Sequence, residues 1–433
     1  MTLRRPPAEI IEESNSPLVQ IADWWERCEL GQVAEVTNGA AFKSALFNKS
    51  SDGLPLIRIR DVGKTETSVH YSGDYDPRHI VERGDLVVGM DGDFRVARWT
   101  GDRALLNQRV CRLRVLDHSR YSDRFLEFVL QPYLDEIHKV TSSVTVKHLS
   151  SRTVQQLPIP LPPRSEQDRI VAAIEEHFSR LDAIEAVTAS THRRLDALQD
   201  ITMDRAFCDA EATHTVEIGE LAEVSGGIQK QPKRRPRENR YPFLRVANVG
   251  RGQLDLAEVH EVELFEGEID RFRLERGDLL VVEGNGSANQ IGRAALWGGE
   301  IDDCVHQNHI IRVRPGDEVL PEYLALCWNA PRTAERVRAI ASSTSGLYTL
   351  STSKVKSVGI PLVPLSNQRR TVERLGMQLS GIEQARAAAS KAQARFLALR
   401  RSILSQAFAG RLVSQSPSDE PASVMLERIG AGT

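Results

Sequence analysis

Cysteine is sparse. Five residues, at positions 28, 111, 208, 304 and 327, are scattered and odd in number. That pattern excludes a disulfide framework, and with no pair at metal-ligand spacing it excludes a structural zinc site as well. No run approaches the roughly 20 apolar residues of a membrane-spanning helix. The N-terminus, MTLRRPPAEIIEES, is basic but lacks an apolar core, so no secretory signal is expected and a reducing, cytoplasmic setting is. Formal net charge is only −3. A nucleic-acid surface would therefore have to come from local basic patches rather than from the charge of the whole chain. Catalytic signatures are missing too. There is no Asn-Pro-Pro-Tyr, no glycine loop ending in Lys-Ser/Thr, and no His/Asp/Glu set at metal spacing. The glycine cluster EGNGSANQIG lacks a strand–turn–helix context. Neither an enzyme, a cofactor nor a metal is expected.

What the sequence does contain is a duplication. At 433 residues, 41% hydrophobic and 27% charged, the chain is long enough for two or three cores. The stretch LSSRTVQQLPIPLPPRSEQDRIV (149–171) aligns with LSTSKVKSVGIPLVPLSNQRRTV (350–372) at 11 of 23 positions without a gap. Upstream, LGQVAEVTNGA echoes IGELAEVSGGI, LPLIRIRDVG echoes YPFLRVANVG, VERGDLVVGMDG echoes LERGDLLVVEGNG, and NQRVCRLRV echoes QNHIIRVRP. The offset drifts from 187 to 201, so the copies differ by loop insertions. Two copies of this length are homologous halves in tandem, not a solenoid.

Within each half, short β-branched runs divided by Gly, Asn, Asp and Pro predict a strand-rich domain. One amphipathic helix follows in each, over YSDRFLEFVLQPYLDEIHKV and LPEYLALCWNAPRTAERVRAI. The proline-rich stretches then predict extended chain, with Ser165 and Ser366 as N-cap candidates. A helix of about 44 residues, roughly 66 Å, follows each; Gly410 suits a C-cap. A coiled-coil seam is expected through Ile174, Leu181, Ile184, Leu195 and Leu198 in the first helix. The second would use Leu375, Ile382, Phe396, Leu399 and Ile403, with His177 and Gln378 as polar register residues. Because the first helix leads into domain two and the second starts there, pairing requires an antiparallel arrangement and a pseudo-twofold. The fold class is α+β. Residues 1–163 form domain one, 164–208 a central helix, 209–364 domain two, 365–411 a second helix and 412–433 a tail.

The GDL strand in each half, IPLPPRSEQDRIVAAI, ALRRSILSQAFAGRLV and the tail DEPASVMLERI together resemble the specificity subunit of type I restriction–modification enzymes. The resemblance runs from about residue 30 to 429. It implies two target recognition domains, each reading half of a bipartite DNA sequence. It also implies two helices that set the gap and dock two methyltransferase subunits, with room for a restriction and translocation subunit, and no catalysis by the chain itself. Copy two departs from the pattern, with VPLSNQ where copy one has PPRSEQ. A solitary two-domain DNA-binding protein, and a degenerate nuclease or methyltransferase, are the competing readings.

Candidate DNA-contacting residues are loop residues at equivalent places. The loop KQPKRRPRENR offers Lys233, Arg234 and Arg235 to phosphates or a guanine edge; Lys43 is its weaker counterpart. Arg95, Asn285 and Asn289 follow the GDL strand and suit base contacts, although the same Asp-Gly and Asn-Gly steps are ordinary turn formers. Gln108 and Arg109, with Gln307 and Asn308, sit at a strand start. Lys147 and Tyr348 lie in Ser/Thr-rich loops before the helices, beside His148.

Overall fold

The computed structural model describes residues 3, 5–141, 148–211, 214–287, 290–344 and 347–430. The chain forms two compact units. One comprises Met1–Val187 with Ala392–Thr433, the other Thr188–Lys391. The tail thus belongs to the same unit as domain one.

Each unit repeats one plan. In the first, an antiparallel sheet has the order Ala34–Asn38, Val110–Val115, Leu86–Gly89, Val96–Arg98. In the second the order is Ala222–Gly226, Ile310–Pro315, Leu279–Val282, Ala294–Leu296. The registers correspond: Leu86 faces Leu113 as Leu279 faces Val313. The central strands are buried along their length, as continuous apolar runs require. The proline-rich stretches are strands. Pro158–Leu161 pairs with Glu26–Glu29, and Gly359–Pro361 with Thr215–Glu217. The first and last strands of each domain are thereby joined.

The Asp of the GDL motif explains its own duplication. Asp85 accepts from the Glu82 amide (2.7 Å) and pairs bidentately with Arg114 (2.7 and 2.7 Å). Asp278 accepts from the Glu275 amide (2.7 Å) and pairs with Arg314 (2.7 and 2.8 Å). Fork-on-carboxylate pairs of this kind are strong and directional. They fix the turn before the central strand.

Another duplicated polar residue is buried at the head of each long helix, Arg164–Glu211 and Leu365–Phe408. Gln167 is fully buried. Its Oε1 accepts from the Ser122 amide (2.8 Å), and its Nε2 donates to Arg120 O (3.1 Å) and Pro162 O (2.9 Å). Gln368, also fully buried, accepts from the Leu320 amide (2.8 Å) and donates to Glu318 O (2.9 Å) and Val363 O (2.8 Å). The expected N-caps Ser165 and Ser366 instead lie inside the first turn, and Pro163 and Pro364 precede it. A long helix anchored by a buried amide does not depend on a serine cap. The Ser165 hydroxyl is used elsewhere, donating to Asp419 (2.6 Å).

The helices run antiparallel within each unit. In the first, Ile170 and Ile174 share a core with Ala407 and Phe408, and Arg400 lies over the Phe178 ring at 4.9 Å and pairs with Asp182. In the second, Met203 and Phe207 share a core with Leu375, and Arg386 bonds Asp196 (2.7 Å) and Gln199 (3.0 Å). Three of the ten expected seam residues are displaced. Ile174, Leu181, Leu375 and Ile382 are buried and Leu195, Phe396 and Ile403 half-buried, but Ile184, Leu198 and Leu399 are exposed, as is Gln378. His177 is half-buried. The second column sits one residue later, at Glu185, Gln199, Leu379, Arg386 and Arg400. The 4–3 spacing leaves that phase open, and long arginine stems lie along apolar surface while their heads reach acids. The second predicted amphipathic helix is also two helices, Pro321–Asn329 and Pro331–Ile340, because Pro331 restarts the helix at its first position. Domain one keeps a single helix, Asp123–Val140, with Pro132 inside it. Gly410 is left-handed (φ 68°) past the second long helix, where a Cβ would lie 2.5 Å from Trp24. The tail helix Ala422–Gly430 buries Met425 and Ile429 in the first core. Arg169, with Ser165, pulls the tail's Asp419 carboxyl down to about 2.

Two outcomes follow. Gln167→Ala or Gln368→Ala leaves three buried backbone groups without partners. Each should lower unfolding free energy by on the order of 3 kcal/mol in a denaturant titration, with the loss confined to its own unit. His306, fully buried where domain one has Leu106, uses Nδ1 on Ile310 O (3.0 Å) and leaves Nε2 without a partner among the described residues. Burial pushes it down to about 4. The folded state resists a proton that the unfolded chain takes up near pH 6.5. Stability is therefore full above that pH and falls towards pH 4, by up to about 3 kcal/mol. His306→Leu should flatten this slope in thermal unfolding across pH 4–7.

Candidate nucleic-acid interface

The four-stranded sheet of each unit gathers several of the candidate contact residues at one end. In domain one, strands end at Asn38 and Gly89 where others begin at Val96 and Val110. The turn Asn107, Gln108, Arg109 sits there, welded to its neighbours through the backbone. Asn107 N donates to Ile57 O (3.1 Å), Gln108 N to Ala40 O (2.7 Å), Ala40 N to Leu106 O (3.0 Å), Met90 N to Arg109 O (2.9 Å) and Leu149 N to Met90 O (2.7 Å). Domain two reproduces each bond. Gln307 N donates to Leu244 O (2.9 Å), Asn308 N to Ile228 O (2.9 Å), Ile228 N to His306 O (2.8 Å), Glu283 N to His309 O (2.9 Å) and Leu350 N to Glu283 O (2.8 Å). The approach is so close that only glycine fits opposite. A Cβ on Gly39 would fall 2.0 Å from Asn107 O, and one on Gly227 2.3 Å from His306 O. This is why the VTNGA and VSGGI motifs carry glycine at those positions. One rigid backbone platform therefore presents Asn-Gln-Arg in one domain and Gln-Asn-His in the other.

The side chains around each platform differ. In domain one, Gln108, Arg109, Arg95 and Lys43 are exposed. Arg95 lies over Gly63, whose Cβ would meet its guanidinium at 2.8 Å. Lys43 precedes the short helix Ser44–Leu46, three residues beyond Ala40, which bridges to Asn107. Lys147 lies outside the described residues. Asp91, largely buried, accepts from His148 Nδ1 (2.6 Å) and pairs with Arg109. Burial pushes the Asp91 carboxyl up, but those bonds outweigh it and hold it below the ordinary range.

In domain two, Gln307 and Asn308 are half-exposed, and His309 Nδ1 donates to Glu283 (3.1 Å). Asn285 pairs through its backbone with Tyr348, whose side chain is half-buried; Asn289 lies outside the described residues. The basic loop leads directly off the platform after Ile228 and is held by two acids. Glu263 accepts from the amides of Arg237 (2.7 Å) and Asn239 (3.0 Å). Glu268 takes a bidentate bond from Arg234 (2.6 and 2.7 Å), which keeps its carboxyl low. Arg234 is half-buried and stacks over Phe265 at 4.6 Å. Its charge is spent inside the domain, whereas Lys233 and Arg235 are exposed. A cleft of about 700 Å³ opens between Lys230, Arg235, Phe243 and His260.

Sequence reasoning missed the braces Asp91, Glu283, Glu263 and Glu268, and the helix-head glutamines. Gln167 and Gln368 were visible as identities between copies; the four acids had no such signal. Among the described residues no three His, Cys, Asp or Glu side chains are grouped to hold a metal ion, and no helix is long and apolar enough to cross a membrane.

The pattern described as "Type I restriction modification DNA specificity domain" matches this chain twice, over residues 23–190 and 211–386. The type I restriction enzyme EcoBI specificity subunit of Escherichia coli is 31% identical over 100% of this chain and 97% of its own. The EcoKI specificity subunit of Escherichia coli strain K12 is 23% identical over 95% and 96%. A solved chain from work on complex assembly and conformational transition of the type I R-M system shares the fold. It has a TM-score of 0.67 at 17% identity, covering 90% of this chain and 99% of that one. Two copies of the domain, matched end to end by curated relatives, place this chain in the family of type I restriction–modification specificity subunits.

Proposed function

We propose that the chain is the non-catalytic DNA-reading subunit of a type I restriction–modification assembly. Residues 1–163 read one half of a gapped double-stranded target and residues 209–364 the other. The helices of 164–208 and 365–411 set the gap and dock two methyltransferase subunits, one per half. The tail, 412–433, braces the head of the first helix. A restriction and translocation subunit can join through the methyltransferases.

The observation that carries this reading is the duplicated platform. Its backbone bonds correspond one to one between domains while the side chains on it do not. Such a pair of surfaces suits two different base sequences presented by one kind of duplex. Gln, Asn and Arg are also the side chains that pair bidentately with adenine and guanine edges in the major groove. On this reading Lys43, Arg95, Gln108, Arg109 and Lys147 meet the first half-site. Lys233, Arg235, Asn285, Asn289, Gln307, Asn308 and Tyr348 meet the second, and Arg234 holds the loop in shape. The direct test is expression with a methyltransferase subunit followed by methylation mapping. A bipartite, gapped motif is expected. Methyl transfer from S-adenosylmethionine by the chain alone, or no stable association with any methyltransferase subunit, would contradict the proposal.

The basic loop separates two roles. Lys233→Ala with Arg235→Ala should weaken DNA binding evenly across sequences. It should also make the salt dependence shallower by about 0.9 per phosphate contact removed. Arg234→Ala should act differently, lowering the thermal stability of domain two because Glu268 loses its bidentate partner and Phe265 the guanidinium stacked on it. Binding isotherms at several salt concentrations, beside melting curves, distinguish the two.

A further inference from the structure

Arg109 occupies a backbone conformation it is not suited to. Its φ is 68°, in the left-handed region that glycine adopts without strain. His309, which holds the same place in domain two, is not among the residues with positive φ. A residue needed only to make the turn would be glycine. Strain kept by a bulky side chain points to use of that side chain.

The surroundings say what the use is. The Arg109 side chain is 60% exposed, yet it is not loose, because its Nη1 is tied to Asp91. Among the described residues Asp91 is the one partner of the side chain, through Nη1, and Nε and Nη2 have none. Asp91 is itself only 9% exposed and is gripped from the other side by His148 at 2.6 Å. The peptide on which Asp91 rides is pinned by the Met90–Arg109 and Leu149–Met90 bonds. The result is an exposed guanidinium with one nitrogen fixed, standing beside Gln108 on a platform that cannot shift. A planar fork with an open edge matches the O6 and N7 acceptors of guanine. Leaving the fork rigid before binding also removes the ordering cost that a free arginine carries.

We infer that Arg109 is the guanine-reading residue of domain one, and that Asp91 is its positioning residue, with His148 closing the brace. The inference rests on the DNA-reading role proposed above. It extends that role by assigning one base and one supporting shell to one half-site, and by predicting that domain two, with His309 on Glu283, reads its half-site without an arginine at this place.

The test uses the chain in complex with its methyltransferase subunits and a duplex pool randomised over both half-sites, with bound DNA sequenced. The wild-type complex should select a bipartite motif with a guanine in the first half-site preferred at least about tenfold. Arg109→Gly relieves the strained backbone, so it should melt no lower than wild type while losing that preference and keeping the second half-site intact. Arg109→Lys, which lacks the fork, should lose most of it. Asp91→Asn should reduce the preference while Arg109 remains present. If Arg109→Gly keeps the full guanine preference, the assignment is overturned. If Arg109→Gly loses it but Asp91→Asn retains it, the positioning role is overturned. If the wild-type complex selects no bipartite motif at all, the DNA-reading role fails, and that outcome is separable from the other two.

Discussion

The structure depends on a buried primary amide. Gln167 and Gln368 each stand at the head of a long helix and satisfy three backbone groups of the domain that precedes it. An amide is the one side-chain group that can accept once and donate twice in such a place without carrying charge. Glutamate would lack the donors and lysine the acceptor, and either would bring a charge into a fully buried site. The glutamine makes the joint between domain and helix stiff, so that a domain cannot pivot without breaking all three bonds together.

A second constraint acts at the other end of each domain. The glycine-lined contact between the NGA or GGI turn and the strand start at Val110 or Ile310 fixes a platform whose backbone is indifferent to the side chains it carries. On the proposed reading, Gln108, Arg109, Gln307 or Asn308 can then be exchanged without moving the scaffold. The carboxylates behind these residues show how polarity is managed there. Asp91, Glu263 and Glu268 each take bonds from the cations or amides that would otherwise wander. An acidic chain overall can thus present a local basic surface of fixed shape.

Much of this was legible in the sequence. The duplication showed two homologous halves, the proline-rich runs read as extended chain, and each long helix starts where its proline-rich run ends. Of the ten seam residues that periodicity picks out, Ile174, Leu181, Leu375 and Ile382 are buried and Leu195, Phe396 and Ile403 half-buried. The rest depended on contacts between distant segments. The 4–3 pattern cannot decide whether Leu198 or Gln199 faces inward, because both lie close to the stripe and the answer is set by Arg386 from the other helix. The Arg234–Glu268 pair spans 34 residues and the His148–Asp91 pair 57. Neither leaves a local mark. A run of basic residues reads the same whether its charges face solvent or a carboxylate.

The central proposal is that the two long helices set the unread gap between the two half-sites. It is tested most directly by lengthening both helices together. Four residues would be inserted between positions 188 and 191 and four between 389 and 392, where Thr, Ser and Ala tolerate a change of phase better than leucine would. One turn adds about 6 Å of helix, and duplex DNA rises about 3.4 Å per base pair. Methylation mapping of a genome modified by the variant complex should show the same two half-site sequences with an unread gap longer by about one or two base pairs. An unchanged gap, or changed half-site bases, would contradict the account.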